Sequence, residues 1–597
     1  MKSGFARFGW IALVLASCAT PPAAPPPIPA LPEAAAPGPI EVQILAFNDL
    51  HGNLEPPKQS VRSRDSSGKE VWVPAGGVAY LAGALATLRK GQGHSITVSA
   101  GDLIGGSPLT SAMFLDEPTI LALNHVGLEL NAVGNHEFDR GSAELRRMQA
   151  GGCEKHTSRE PCALDKPFPG AKFRLLAANV LTADGTSLFP GSAIKQFGPI
   201  RIGFIGMTLK ETGVLVTPSG VAGLRFADEA ATANALVPQL KAQGADAIVV
   251  LLHQGAYTKG DWNDPTCPGL SGDVLPILEK LDPAVELVVS GHTHWAYRCE
   301  LPMANGRTRL LTSANRYGTM LTDIRLTFDP ASKALLAKKA ALTVVQGEPF
   351  EGARGPAPLS TAFPIYPADP TVKALVDRYK AAASVQAERV VARLAGLISE
   401  TEDKDLATRG GELLADAQLA WTRPKERGAA EIAFMNNSGV RGDLVPRADG
   451  TVTYGQLFAL QPFENHVIVM TLAGAQLKRL LEQQFLDAAE PNMLMPSAGF
   501  SYTYDVRRPD GDRVVKMSFN GKPIDPKRNY RVTTNSFLAA GGDNFSVFTE
   551  GTDRFDAGLD LDALEAYLKT NPPVPTGGRV KSLHIVRDQT AGSSARS

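Results

Sequence analysis

At 597 residues, with 60 basic and 61 acidic side chains, the chain is longer than one hydrophobic core usually organises. A formal net charge of −1 leaves no excess positive field for a nucleic-acid backbone, which argues against a nucleic-acid polymer as the main partner. The balance of 44% hydrophobic and 20% charged residues is that of a globular protein, expected to form at least two domains.

In chain order, Lys2 and Arg7 precede the apolar run FGWIALVLA, which is too short to span a bilayer and reads as a secretory signal. Leu15-Ala16-Ser17-Cys18 closes that run and resembles the bacterial lipobox. Residues 1–18 are therefore expected to be a lipoprotein signal peptide with Cys18 lipidated, placing the protein in the cell envelope on a membrane anchor; an ordinary signal peptide and a periplasmic protein is the other reading. The residue after Cys18 is not Asp, which favours the outer membrane by comparison with other bacterial lipoproteins. Residues 19–40 are a Pro/Ala-rich tether that packs no core and extends about 60 Å. Apart from Cys18, the cysteines are Cys153 and Cys162, close together, and Cys267 and Cys299, further apart. Two disulfides in an oxidising compartment fit them, whereas a thiolate zinc site lacks its C-x-x-C pair. No later stretch reaches the roughly 18 uninterrupted apolar residues of a membrane helix.

From residue 41 to about 330, short β-branched runs alternate with amphipathic segments, the pattern of a sheet covered by helices. Five runs end alike: 42–47 before Asp49 and His51, 95–100 before Asp102, 131–133 before Asn135 and His136, 247–252 before His253, and 286–290 before His292 and His294. Ligands bind at the carboxyl edge of such sheets, so these side chains are expected to converge. Carboxylate, carboxamide and imidazole together suit zinc, manganese, iron or cobalt, and the seven candidate ligands Asp49, His51, Asp102, Asn135, His253, His292 and His294 suit two ions bridged by Asp102. Residues 368–397 read as one long helix opened by Pro370 after a Pro-rich loop, followed by a second α/β region to about 586. Residues 587–597 are expected to be disordered.

Read together, D-x-H, G-D, G-N-H-E, H and G-H-x-H in this order resemble the calcineurin-like metallophosphoesterase superfamily. With the N-H-E-F-D extension and the second domain, the chain is similar to the bacterial 5'-nucleotidase family, which includes UDP-sugar hydrolases. That resemblance implies a four-layer α/β-β/α metallophosphoesterase domain over 41–350, a linker and long helix over 351–397, and an α/β nucleotide-binding domain over 398–586. It implies one divalent ion on Asp49, His51, Asp102 and His294, and another on Asp102, Asn135, His253 and His292. His294 stands where periplasmic relatives often have Gln. His136 and Asp139 become the catalytic His and its orienting carboxylate, while Glu137 and Phe138 read as structural.

In the second domain, Asn436-Asn437-Ser438-Gly439-Val440-Arg441, Gln461-Pro462-Phe463-Glu464-Asn465 and the run from Asn535 to Asp543 match the family's substrate motifs. By that match Arg441 grips phosphate, Phe463 and Phe537 sandwich a nucleobase, Asn436 and Asn465 line the site, and Asp543 receives the ribose hydroxyls. A departure precedes Thr408: Lys404 and Glu400 stand where relatives carry arginines, and a lysine binds phosphate without bidentate geometry. The resemblance thus implies an exported phosphohydrolase acting on nucleoside 5'-monophosphates, with UDP-sugars or other nucleotides as further substrates. Alternatives are a 2',3'-cyclic phosphodiesterase/3'-nucleotidase, a thiosulfohydrolase, and a non-catalytic nucleotide-binding surface lipoprotein.

Overall fold

The computed structural model describes residues 38–584 apart from 65–67, 158, 353–354, 487–490, 571–574 and 576. The signal peptide, lipidated Cys18, most of the tether and the C-terminal tail expected from the sequence lie outside the described residues.

Two six-stranded sheets form the N-terminal half. The first runs Leu335–Val344, Met320–Phe328, Ile40–Phe47, Ser95–Ser99, Leu130–Ala132, Arg174–Leu176, and its last four strands are parallel. The second runs Ala296–Pro302, Thr308–Ala314, Val285–Ser290, Ala247–His253, Ile200–Thr208, Ser192–Phe197. Val42, Ile44, Val98 and Leu130 of one sheet share a buried cluster with Phe204, Val249, Leu251 and Val289 of the other. The strands are apolar on both faces because each sheet is covered by its partner within and by helices without. Helices Val78–Arg89, Glu117–Val126 and Gly141–Ala150 cover the first sheet, and Glu229–Ala242 and Val274–Lys280 the second. This is the expected four-layer arrangement, and the five ligand-bearing strands form within a residue or two of their predicted bounds.

The linking helix is shorter than predicted. It spans Pro370–Ala387, with Pro370 in its first turn and Asp369 accepting the amides of Thr371 and Val372. Val390–Arg393 is a strand instead, paired with Thr451–Thr453, because β-branched Val390 and Val391 fit a pleated ladder better than a helix turn. The helix packs Val372 and Val376 into the core beneath the first sheet, and Tyr379 against Phe114. Just past its end, Arg389 pairs with Glu565 at 2.6 Å.

The C-terminal half centres on a five-stranded sheet, ordered Leu494–Pro496, Ile432–Asn436, Asn529–Asn535, His466–Ala473, Thr552–Leu559. Its central strands Ile432–Asn436 and Asn529–Asn535 are parallel and end on the same edge. Helix Arg409–Thr422, capped by the Thr408 hydroxyl, packs against this sheet. Disulfides join Cys153 to Cys162 and Cys267 to Cys299. No helix among the described residues is long and apolar enough to cross a membrane.

Candidate metal centre and substrate cleft

The five strand ends deliver their ligands to one buried spot. Asp49, His51 and His294 bring a ligand atom each to within 4.8 Å of one another, and so do Asp102, His253 and His292. Asp102 lies between the groups: its Oδ2 is 2.9 Å from His253 Nε2 and 3.6 Å from His51 Nε2, while its Oδ1 accepts the His136 backbone amide at 2.8 Å. One carboxylate oxygen thus faces both sites and the other is pinned. Asp49, His51 and His253 are fully buried.

The backbone is bent to make this possible. Asp49 (φ 51°), His51 (45°), Asp102 (51°), His292 (70°) and His294 (55°) all occupy the left-handed region. That conformation costs an L-residue about 1–2 kcal/mol, so its recurrence at five of the seven ligands marks a site the scaffold over-determines. Glu137 supplies part of the restraint: its carboxylate accepts the amides of Asp102 (2.9 Å), Leu103 (2.8 Å) and Gly134 (2.5 Å), strapping two ligand loops together. Asn48 adds more, donating to Asp49 Oδ2 and to the Asn315 carbonyl while accepting the Ala314 amide. Neither restraint is visible as chemistry in the sequence, although both residues adjoin the ligands.

The donor set fits divalent cations. Burial holds the His51 imidazole well below its ordinary pKa, and that of His294 likewise, leaving neutral rings with lone pairs to give. Burial and the neighbouring His253 push His292 down to about 4. Burial also works against a charged His253, but Asp102 and Asp49 outweigh it and raise His253 to about 9, which shows that the two carboxylates favour positive charge at this spot. His51 Nε2 and His294 Nε2 face each other at 3.1 Å. The buried Asn135 Oδ1 and His253 Nε2 have no aligned hydrogen-bond partner, and convergent, unsatisfied ligand atoms of this kind are what a metal site requires.

His136 points elsewhere. Its Nδ1 lies 2.9 and 3.1 Å from the Asp139 carboxylate, and its ring stacks on Phe463 of the C-terminal half at 5.9 Å. Burial disfavours its charged form, but Asp139 and Asp102 more than compensate and the pKa is raised. His136 also falls within reach of His51 and Asp102, so these three form a further cluster of potential ligand atoms.

The C-terminal residues enter from across a cleft. A Cβ built on Gly106 would lie 3.5 Å from His51 Nδ1, 3.6 Å from Phe463 and 3.7 Å from Arg441 Nη2, so both C-terminal side chains stand close to the candidate ligand His51. Beside them opens a cavity of about 530 Å³, lined from both halves by Gly105, Asp139, Arg140, Phe463, Glu464 and Asn465. Arg159, inside the Cys153–Cys162 loop, pairs with Glu464 at its rim.

The other expected substrate residues are largely engaged with protein. Asn436 Nδ2 and the Ser438 hydroxyl both donate to Asp543 Oδ2, at 2.8 and 2.5 Å. Asn465 Oδ1 accepts from the Ser536 hydroxyl and the Phe537 amide, tying together the loops that carry Phe463 and Phe537. Phe537 packs on the C-terminal core. Lys404, expected to reach phosphate, is a solvent-facing side chain paired to Asp405 at 2.7 Å.

Comparison with known proteins agrees with this geometry. The family model for calcineurin-like phosphoesterases matches residues 42–296, and that for the 5'-nucleotidase C-terminal domain matches residues 390–550. The chain is 30% identical to the cell wall protein Lmo0130 of Listeria monocytogenes, over 85% of this chain and 64% of that protein. It is 28% identical to the endonuclease YhcR of Bacillus subtilis, over 89% of this chain and 40% of that protein. The chain therefore spans less than two thirds of the length of these relatives. Among solved structures, a 5'-nucleotidase precursor from Thermus thermophilus shares the fold with a TM-score of 0.72 at 24% identity, covering 91% of this chain and 99% of the other.

Proposed function

The chain belongs to the calcineurin-like metallophosphoesterases that carry a 5'-nucleotidase C-terminal domain, hydrolases of phosphoric esters, and from that premise we propose that it is an exported enzyme releasing phosphate from nucleoside 5'-monophosphates, with UDP-sugars and other nucleotides as further substrates. The observation that supports the reading is the proximity of Arg441 and Phe463 to His51 and Gly106, which brings a guanidinium and an aromatic ring from one half to a candidate metal ligand of the other.

Asp49, His51, Asp102 and His294 would hold one ion and Asp102, Asn135, His253 and His292 the other. The pair supplies, when bound, activation of water and neutralisation of the phosphoryl oxygens. Arg441 grips the phosphoryl oxygens through paired donors and fixes the group for in-line attack. His136 in its imidazolium form, favoured by Asp139 and Asp102, donates Nδ1–H to Asp139 and presents Nε2–H to the charge that develops on the phosphoryl group. Phe463, stacked on His136, receives one face of the base and excludes water from the dyad.

The two disulfides support an oxidising compartment. The reading is tested by phosphate release from AMP, UDP-glucose and a 2',3'-cyclic nucleotide, with zinc, manganese or cobalt restored to the chelated protein. Metal-dependent release from AMP supports it; turnover confined to the cyclic diester, or release that ignores metal, overturns it.

A further inference from the structure

The chain around the Cys153–Cys162 disulfide is used by neither the metal centre nor the proposed mechanism, yet it touches the metal-binding half, the linking helix and the C-terminal half. Its base is fixed in the first: the disulfide closes it, the Cys162 amide donates to Glu117 Oε1 at 2.9 Å, and Arg147 Nη1 donates to the same oxygen at 2.8 Å and to the Gly152 carbonyl at 2.9 Å. Glu117 and Arg147 are buried, so water does not compete for this anchor. Beyond the disulfide, the Asp165 carboxylate accepts both terminal nitrogens of Arg378 on the linking helix, at 2.9 and 2.6 Å. From inside the closed loop Arg159 reaches the C-terminal half, where its Nε donates to Glu464 Oε2 at 3.0 Å and its Nη2 to Oε1. The Arg159 amide donates to the Thr157 hydroxyl at 3.2 Å, which sets the backbone from which the side chain leaves. The pair is a two-pronged fork whose cationic member stands on a fixed base.

Glu464 sits between two residues that face opposite ways. Before it, Phe463 lays its ring on His136, with centroids 5.9 Å apart and planes 20° from parallel. After it, Asn465 Oδ1 accepts the Ser536 hydroxyl and the Phe537 amide, and its carbonyl accepts the Asp560 amide. To send the chain both ways Glu464 adopts φ 54°, the left-handed region in which an L-residue is crowded. Such a conformation persists where contacts over-determine it, and the fork from Arg159 is the contact that the Glu464 side chain itself supplies. We propose that Arg159 is a positioning residue for the base of the substrate: through Glu464 it holds the turn that keeps Phe463 against His136, and so makes the cleft prefer phosphate esters that carry a base over those that do not. The inference rests on the phosphoesterase reading, with Phe463 as the platform for the base. A pair that merely latched the two halves together would, when lost, slow every substrate alike; a pair that acts through Phe463 weakens nucleotides alone.

The experiment compares wild type with Arg159→Ala, Arg159→Lys, Glu464→Ala, the pair Arg159→Ala/Glu464→Ala and the pair Arg159→Ala/Phe463→Ala, measuring KM and kcat for AMP and for an alkyl phosphate without a base, and bound metal by elemental analysis. For Arg159→Ala, KM for AMP rises roughly 3- to 10-fold, the loss expected for a partly exposed two-pronged ion pair, while kcat, both constants for the alkyl phosphate and the metal content stay those of wild type. Glu464→Ala and the double Ala variant match it, since each removes the same pair, and Arg159→Lys falls between. Arg159→Ala adds nothing to Phe463→Ala. Equal losses on AMP and the alkyl phosphate overturn the inference, as does an unchanged KM for AMP or full additivity of Arg159→Ala with Phe463→Ala. If wild type hydrolyses no phosphate ester, the phosphoesterase reading fails by itself, and crystal structures of wild type and Arg159→Ala still decide: the Phe463 ring leaves His136 in the variant if Arg159 positions it, and a ring that stays in place refutes the role.

Discussion

The metal-binding wall and the substrate-binding wall of the cleft are built on opposite plans. On the first, seven candidate ligands come from the ends of five strands, five of them in a strained backbone conformation, and Asn135 Oδ1 and His253 Nε2 have no hydrogen-bond partner among the described residues. On the second, the polar groups mostly satisfy each other: Asn436 and Ser438 bind Asp543, and Asn465 binds Ser536 and Phe537. Arg441 is the exception: the residue is half-buried, and its Nε and Nη2, both out of solvent, find no hydrogen-bond partner among the described residues. The contrast teaches where each kind of chemistry is stored: catalysis in open valences held by rigid strands, recognition in the shape of loops that have been tied to one another.

The sharpest way to break that contrast is at Asp102. Asp102→Asn is expected to lose both ions together, because a neutral amide cannot bridge two cations, and turnover falls to background. Elemental analysis checks it, and two ions retained per chain would defeat the bridging assignment. Next in size is His136→Ala, expected to keep both ions and lose roughly 10²- to 10⁴-fold in kcat, with Asp139→Asn losing less. If His136→Ala sheds an ion while the other ligands stand, His136 belongs to the metal wall. On the recognition wall, Phe463→Ala should raise KM for AMP roughly 10-fold and leave an alkyl phosphate without a base unaffected, since the ring contributes stacking to the nucleoside alone. Equal losses on both substrates would mean that Phe463 acts through His136.

The smallest effect lies outside the cleft, at Glu565. Hydrogen bonding from Arg389, against the opposing cost of burial, and a further bond from Lys569 hold its carboxyl at about 2. A pKa lowered on folding gives stability that is present above the unfolded value of about 4.3 and is lost as pH falls toward the folded one. Glu565→Gln should therefore lower the melting temperature by roughly 1–3 °C at pH 7 and by progressively less between about pH 4.5 and 2. A deficit constant with pH would show that packing, not charge, joins the linking helix to the C-terminal half.

The two walls also differed in how much of them could be read in advance. The convergence of the candidate ligands was legible because each member follows an apolar run in the same way, and a sheet turns that repetition into proximity. The folding of Asn436 and Asn465 onto Asp543, Ser536 and Phe537 was not, since a motif gives residue types at fixed spacing without saying whether their valences face a ligand or each other. Arg159 carries no motif at all: it reaches Glu464 from inside the disulfide loop, 305 positions earlier in the chain. The linking helix failed for a local reason, because Val390 and Val391 continue the apolar pattern of the helix but pair with Thr451–Thr453.

The division of labour within Asp102 carries a consequence for dose. Its Oδ2 faces both ligand groups while its Oδ1 holds the backbone of His136, so filling one group alone leaves the shared oxygen with half its partners. At scarce metal, turnover should then climb with the square of free ion concentration rather than in proportion to it. A twofold fall in supply would quench the proposed activity about fourfold, so that it answers steeply to the ion content of its surroundings.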